Sequence, residues 1–386
     1  MRNDLGLPPR PRLSAGDHLV VKVGSSLLTS PQTGLDRSLI AQLADAIARL
    51  RSAGVHVVLV SSGAVAEGVH RLRLDARPQR LHRLQAAAAV GQTGLVGAYE
   101  QAFLRHDVRT ALVLLTHADL ASRERYLNAS STLATLLDMG VVPIVNENDT
   151  VATEEIRFGD NDTLGALVAN LISARVLVML TDQRGLHAAD PREQPEAPVL
   201  AELSVSDPDL EAYCGTSAGN LGRGGMLTKV RAAVQAARSG TTSIIADGRA
   251  ADVLDLVLSG AAVGTALHPD GEPLTARKGW LAGQRQTAGA LTVDAGAARA
   301  LLEQGRSLLP VGVERVEGNF QRGDLVAIQN EAGVLIANGL TNYSSDEARA
   351  LRGVVSDQIV RVLGYCNEHA LVHRDNLVIV SPGQPF

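Results

Sequence analysis

From about residue 18 to residue 267 this chain alternates short apolar runs with longer, Ala-rich amphipathic stretches, and few folds accommodate that rhythm. "HLVVKV" (18–23), "VHVVLVSS" (55–62), "TALVLL" (110–115), "VVPIVN" (141–146), "RVLVMLTD" (175–182) and "TTSIIAD" (241–247) read as strands apolar on both faces. Strands of that kind must be covered on both sides. The stretches between them carry helical periodicity. "DRSLIAQLADAIARLRSAG" (36–54) opens on an Asp cap and closes on Gly, and further helices fall over 84–105, 122–140, 163–173 and 225–240. Strand, helix, strand in repetition predicts an α/β fold: a three-layer α/β/α sandwich around a mostly parallel open sheet.

The rhythm stops after "GTALHP". Residues 268–287 are rich in Pro, Gly and charge, hold the sole Trp, and read as a linker. Beyond them come short strands with Gly turns, "GALTVD", "SLLPVGVERVEG", "GDLVAIQN", "GVLIANGLTNY" and "NLVIVSP", with one helical piece, "AGAARALLEQG". A small, mostly β domain is expected over 288–374, followed by a tail over 375–386. Residues 1–17 have no apolar signal core and read as a disordered leader.

The bulk numbers narrow the function classes. Net charge is −5, with no basic block, which argues against a nucleic-acid or membrane surface. The two cysteines, Cys214 and Cys366, lie far apart and fit a reducing cytoplasm; the ten histidines are scattered and suggest no zinc site. No apolar run approaches the ~18 residues of a membrane span.

Among 36 basic residues only three are lysines: Lys22, Lys229 and Lys278. Ligands in open α/β sheets sit at the C-terminal strand ends. Here those ends read "KVGSS" (22–26), "SSGA" (61–64), "NENDT" (146–150) and "TDQRG" (181–185). Lys22 stands in the first of them, and Lys229 closes "GRGGMLTK" (222–229), a Gly-rich loop entering a helix. Helix N-termini attract anions, glycines let a phosphate approach the backbone, and lysine offers a compact charge where a guanidinium fork is too rigid. The bland alternatives are an ordinary helix entry and a snorkelling surface lysine. Two of three lysines in such turns favour phosphate binding.

In "FGDNDTLGAL" (158–167), Asp160, Asn161 and Asp162 stand together before a helix. Capping needs one such residue. Three of them, with "NEND" (146–149) just upstream, suit a charged substrate or Mg²⁺ beside a phosphate site, and "TVATEEIRF" between them would lie over it as a flap.

Taken in order, "VVKVGSSLL", "VSSGAVAEG", "AVGQTGL", "RERYLNA", "VPIVNENDTVATEEIRFGDNDTLGAL", "LTDQRGLHAADPR" and "GRGGMLTK" resemble the amino acid kinase family. Within it they resemble the branch that phosphorylates free glutamate at the entrance to proline biosynthesis. The stretch 288–374, with "GRSLLPVGV", "GNFQRGDLV" and "YSSDEARAL", resembles a PUA domain. The resemblance implies ATP and Mg²⁺ as cofactors, with Mg²⁺ carried by ATP rather than by direct protein ligands. It places Lys22 on the transferring phosphoryl group, Lys229 on the ATP phosphates, and Asp160 and Asp162 as organisers of the lysines and Mg²⁺. Ser62, Asp149 and Asn161 match glutamate-binding positions, with Asn146 as a neighbour. Gly24, Thr181, Asp182, Gly222, Arg223, Gly224, Gly225 and Met226 fall at the nucleotide. Arg223 departs from the pattern, because the family's loop usually has Thr there.

The acceptor is then a carboxylate, already ionised at neutral pH, so positioning and charge neutralisation suffice and no general base is needed. Aspartate or N-acetylglutamate as acceptor is the alternative within the class, although "KVGSS" in place of Lys-x-Gly-Gly favours free glutamate. RNA binding through the PUA-like part is the alternative outside it. Residues 288–374 hold 8 Arg and no Lys against 10 acidic residues, which disfavours an RNA reader. The resemblance also implies a cytoplasmic homo-oligomer, dimeric or tetrameric, with proline as feedback inhibitor and coupling to glutamate-5-semialdehyde dehydrogenase.

Overall fold

The computed structural model describes residues 7–30, 34–151, 161–214, 225–250, 252–270 and 287–380. The described chain forms two compact units, Met1–Leu120 with Ala129–Pro273, and Ala121–Asn128 with Leu274–Phe386.

The first unit is built on an eight-stranded sheet. Its strands are β1 (His18–Val23), β4 (His56–Ser61), β5 (Thr110–Leu115), β6 (Val142–Glu147), β7 (Val176–Thr181), β8 (Glu202–Ser204), β9 (Thr242–Asp247) and β10 (Thr265–His268); β2 (Thr29–Ser30) and β3 (Gly34–Leu35) pair separately. The order across the sheet is β5-β6-β4-β1-β7-β9-β10-β8. All neighbours are parallel except β9 and β10. The central strands β1, β4, β6 and β7 are buried on both faces, as their Val-, Leu- and Ile-rich content requires. Because these strands run parallel, the turns after Val23, Ser61, Glu147 and Thr181 share one edge of the sheet.

The helix Arg37–Ser52 is capped as its sequence predicts: the Asp36 side chain accepts from the Leu39 N–H at 3.0 Å. It turns its Leu, Ile and Ala positions into the sheet. The helices Ala64–Arg71 and Leu81–Leu104 approach too closely for any side chain at their crossing. A Cβ on Gly68 would come within 1.7 Å of the Ala87 carbonyl oxygen, and one on Gly91 within 1.8 Å of that of Ala64. This contact sets the height of the long helix, and with it Gln92, beside the ends of β4 and β6.

Three boundaries differ from the reading of the linear chain. The expected disordered leader is ordered from Leu7: Leu13 is buried with its N–H on the Leu258 carbonyl, and the Arg10 guanidinium is buried against Glu202 at 2.6 Å. A Pro-rich segment without periodicity hides this, because its anchors are long-range: the Arg10 pair with Glu202, Arg10 bonds to the Ala201 and Gly264 carbonyls, and the Leu13 bond to Leu258. His268, expected at the start of the linker, closes β10 and is buried. Residues 375–379, expected in a tail, complete the last strand of the second unit. The linker from 271 to 286 lies outside the described residues.

The second unit holds a five-stranded sheet: β11 (Gly289–Val293), β12 (Val313–Gly318), β13 (Leu325–Asn330), β14 (Leu335–Thr341) and β15 (Val372–Ile379), in the order β12-β11-β13-β14-β15. All pairs are antiparallel except β11 and β13. Its own apolar core gathers Leu291, Phe320, Ile328, Tyr343, Leu351 and Leu371.

Candidate active site

Lys22 lies within β1, next to its last residue, with its stem against the helix Asn161–Leu171. Gly165 on that helix leaves room for it: a Cβ there would stand 3.4 Å from the Lys22 Cβ and Cγ. The Lys22 ammonium is buried and pairs with Asp162 Oδ1. Lys229, from the first turn of the helix Met226–Ala237, reaches the same carboxylate from the other side, its Nζ 3.1 Å from Oδ2. Thr228 Oγ1 donates to Oδ2 at 2.7 Å. Burial alone would raise the Asp162 carboxyl; the two ammonium groups overrule it and hold it well below the usual carboxylate range. One buried anion therefore orients two buried cations.

Beside this triad a cleft of about 460 Å³ is lined by Thr181 and Asp182 at the end of β7, by Tyr213, and by Gly225, Met226 and Lys229. Thr181 Oγ1 donates to Asp182 Oδ1 at 3.1 Å. Gly225 stands at the N-cap of the helix Met226–Ala237 and brings no capping side chain of its own, and helix N-termini favour anions. Gly24 caps the short helix Ser25–Leu28 after β1.

Next to it, amides gather at the ends of β4 and β6. The Asn161 Nδ2 group lies 2.8 Å from the Ser61 carbonyl, 3.1 Å from Ser62 Oγ and 2.8 Å from Asn146 Oδ1. Asn146 Nδ2 donates to Gln92 Oε1 at 2.7 Å. Asp149 and Asn148 border a second cleft, of about 520 Å³, against the helix Leu81–Leu104. Burial pushes the Asp149 carboxyl up to about 6, with Arg77 pulling the other way.

The structure thus places Lys22, Asp162 and Lys229 in one cluster and Ser62, Asn146 and Asn161 in a second, joined through the adjacent residues Asn161 and Asp162. Asp149, Thr181 and Asp182 line the flanking clefts. Asp160, Gly222, Arg223 and Gly224, and the expected flap except for its first residues, lie outside the described residues. Gln92 escaped the sequence reading, and Thr228, expected with residues 222–229 at the nucleotide, was not foreseen as a partner of Asp162. Both sit inside stretches already singled out, "AVGQTGL" and "GRGGMLTK", but nothing in helical periodicity says which polar residue of a helix turns toward a strand end.

Comparison with known proteins fits this geometry. Residues 17–247 match the Amino acid kinase family, and residues 289–363 match the PUA domain. The chain is 55% identical over 370 residues to the glutamate 5-kinase of Methylococcus capsulatus, covering 96% of this chain and 99% of that one. The glutamate 5-kinase of Chromohalobacter salexigens is 57% identical over 371 residues, covering 96% and 98%. The chain belongs to the glutamate 5-kinases of the amino acid kinase family. That of Nitrosococcus oceani is 56% identical over 371 residues, with 96% and 99% covered. Membership of the glutamate 5-kinases accounts for both compact units, since the two matched regions fall one in each of the two sheets.

Proposed function

We propose that this protein transfers the γ-phosphoryl group of ATP to the γ-carboxylate of L-glutamate, the first step of proline biosynthesis. The observation that carries the reading is the convergence of Lys22 and Lys229 on the single buried carboxylate of Asp162, with Lys229 lining the 460 Å³ cleft. The relatives named glutamate 5-kinase supply the acceptor's identity.

ATP lies in the cleft of Thr181, Asp182, Gly225 and Met226, its phosphates toward Lys229 and the N-terminus of the helix Met226–Ala237. Glutamate lies on the other side, held by Ser62, Asn146, Asp149 and Asn161. Its γ-carboxylate attacks in line, and Lys22 neutralises the charge spreading over the transferring group. The nucleophile is already ionised, so no residue need take a proton. Asp162 keeps both ammonium groups charged and aimed.

Mg²⁺ fits this site as part of the nucleotide. Both Asp162 oxygens already accept from cations or a hydroxyl. Bound to the ATP phosphates, the ion supplies further charge neutralisation. The product is an acyl phosphate, prone to hydrolysis, and hand-off to glutamate-5-semialdehyde dehydrogenase follows from that lability. Proline inhibition, a homo-oligomer and a cytoplasmic setting complete the reading; no helix among the described residues is long and apolar enough to cross a membrane.

The test is hydroxamate formation with ATP and Mg²⁺, comparing glutamate, aspartate and N-acetylglutamate, with and without proline. Glutamate should be preferred strongly. Equal or better turnover of either other acid would sink the assignment.

A further inference from the structure

Two backbone groups fix the direction of a run of three amides, and the run ends on a side chain that the chemistry above leaves without a role. The Ser61 carbonyl can only accept, so the Asn161 atom facing it at 2.8 Å is Nδ2. The Glu147 backbone N–H can only donate, so the Asn146 atom facing it at 2.9 Å is Oδ1. Asn161 Nδ2 then donates to Asn146 Oδ1, and Asn146 Nδ2 is left to donate onward to Gln92 Oε1 at 2.7 Å. Gln92 must therefore turn its own NH₂ group away from Asn146. That Nε2 is closed to solvent and has no hydrogen-bond partner among the described residues. Gln92 also lines the 520 Å³ cleft that Asn148 and Asp149 border.

A shielded donor without an acceptor is costly, and a site can retain one where a ligand brings the acceptor. The group it wants is an oxygen with lone pairs to spare, and an anionic one gains most. We infer that Gln92 is a substrate-positioning residue: its Nε2–H donates to a carboxylate oxygen of the acceptor amino acid, while its Oε1 holds Asn146 and Asn161 in their working orientation. This rests on the reading of Asp149 and Asn161 as the acceptor's site. The two halves of the amide have separate jobs, and substitutions can separate them.

Gln92→Glu keeps an acceptor toward Asn146 at the same reach and replaces the donor by an anionic oxygen. Gln92→Leu removes both. In the full chain, assayed by hydroxamate formation, Gln92→Glu should raise the KM for glutamate about 10- to 100-fold, the factor of one hydrogen bond to a charged group. The KM for ATP should stay within about 2-fold. Protection against thermal unfolding by glutamate should weaken in the same variant, and protection by ATP should not. Gln92→Leu should lower kcat as well, because Asn146 and Asn161 lose their fixed orientation. An unchanged glutamate KM in Gln92→Glu overturns the inference. So does a parallel rise of both KM values with a fallen midpoint, which marks a packing role. Wild-type preference for glutamate is scored separately and tests the function itself: its failure shows as no glutamate turnover, whereas failure of the inference shows as turnover indifferent to Gln92→Glu.

Discussion

Replacing Asp162 by Asn changes the shape of the site by almost nothing and its charge by one, and the structure says what that costs. Asp162 is fully buried, and Lys22 and Lys229 are 4% and 5% exposed. Without the carboxylate, the two buried ammonium groups lose the anion they share. Breaking a buried pair by removing one partner costs about 3–5 kcal/mol, and here one deletion breaks two pairs, so about 4–5 kcal/mol is expected. That is a large part of the ~5–15 kcal/mol that stabilises a domain. The effect has a sign that ATP should reverse. The polyphosphate supplies the missing negative charge, so ATP should raise the unfolding midpoint of Asp162→Asn more than that of the wild type. Turnover should fall at least about 100-fold, since both cations lose the group that aims them. Urea unfolding followed by circular dichroism, with and without ATP, and the hydroxamate assay read all three quantities. An apo protein within about 1 kcal/mol of wild type, or one that ATP stabilises no better, would refute the account of the triad as a buried ion network.

Lys22→Arg and Lys229→Arg keep the charge but not its shape, and each should reduce turnover by on the order of 100-fold with the fold intact, as judged by circular dichroism; near-normal rates would remove Lys22 and Lys229 from the chemistry. For Asp149 the proton linkage has the opposite sign to that of a paired carboxylate. Its carboxyl is raised from 3.8 to about 6, so its contribution to stability is present below pH 4 and lost as the pH rises through 6. Asp149→Asn should therefore stabilise the apo protein at pH 7.5 by about 1–2 kcal/mol, discounted for partial exposure, while raising the KM for glutamate far more than that for ATP; a loss of stability would contradict the assigned burial. Gly91→Ala places a methyl group within 1.8 Å of the Ala64 carbonyl, and should cost about 1–3 kcal/mol in urea unfolding and lower kcat by displacing Gln92. A chain ended at residue 285 should keep glutamate phosphorylation, because each unit has its own apolar core; an insoluble or inactive product would show that the second unit completes the first.

What the sequence by itself determined is the layered α/β architecture and the chemistry at its edge. Runs such as "VVLV" and "VLVML" are apolar at every position, and only a sheet covered on both faces can use them. Asp36 and Gly54 mark one helix at both ends because capping is local. Lys22 and Lys229 stood out for the same reason: a scarce residue type beside Gly-rich turns needs no knowledge of distant partners. What only the tertiary structure decided is what depends on groups far apart in the chain. Asp162 lies 140 residues from Lys22 and 67 from Lys229, and nothing local announces that one carboxylate serves both. The order of Arg10, in a segment that reads as disordered, rests on groups such as Glu202, 192 residues away. The direction of the Gln92 amide depends on backbone groups at Ser61 and Glu147, relayed through two asparagines. Periodicity reports which face of an element is apolar; it carries no record of which polar atoms meet when those faces close, because that is settled by packing and by the need to pair every buried donor and acceptor.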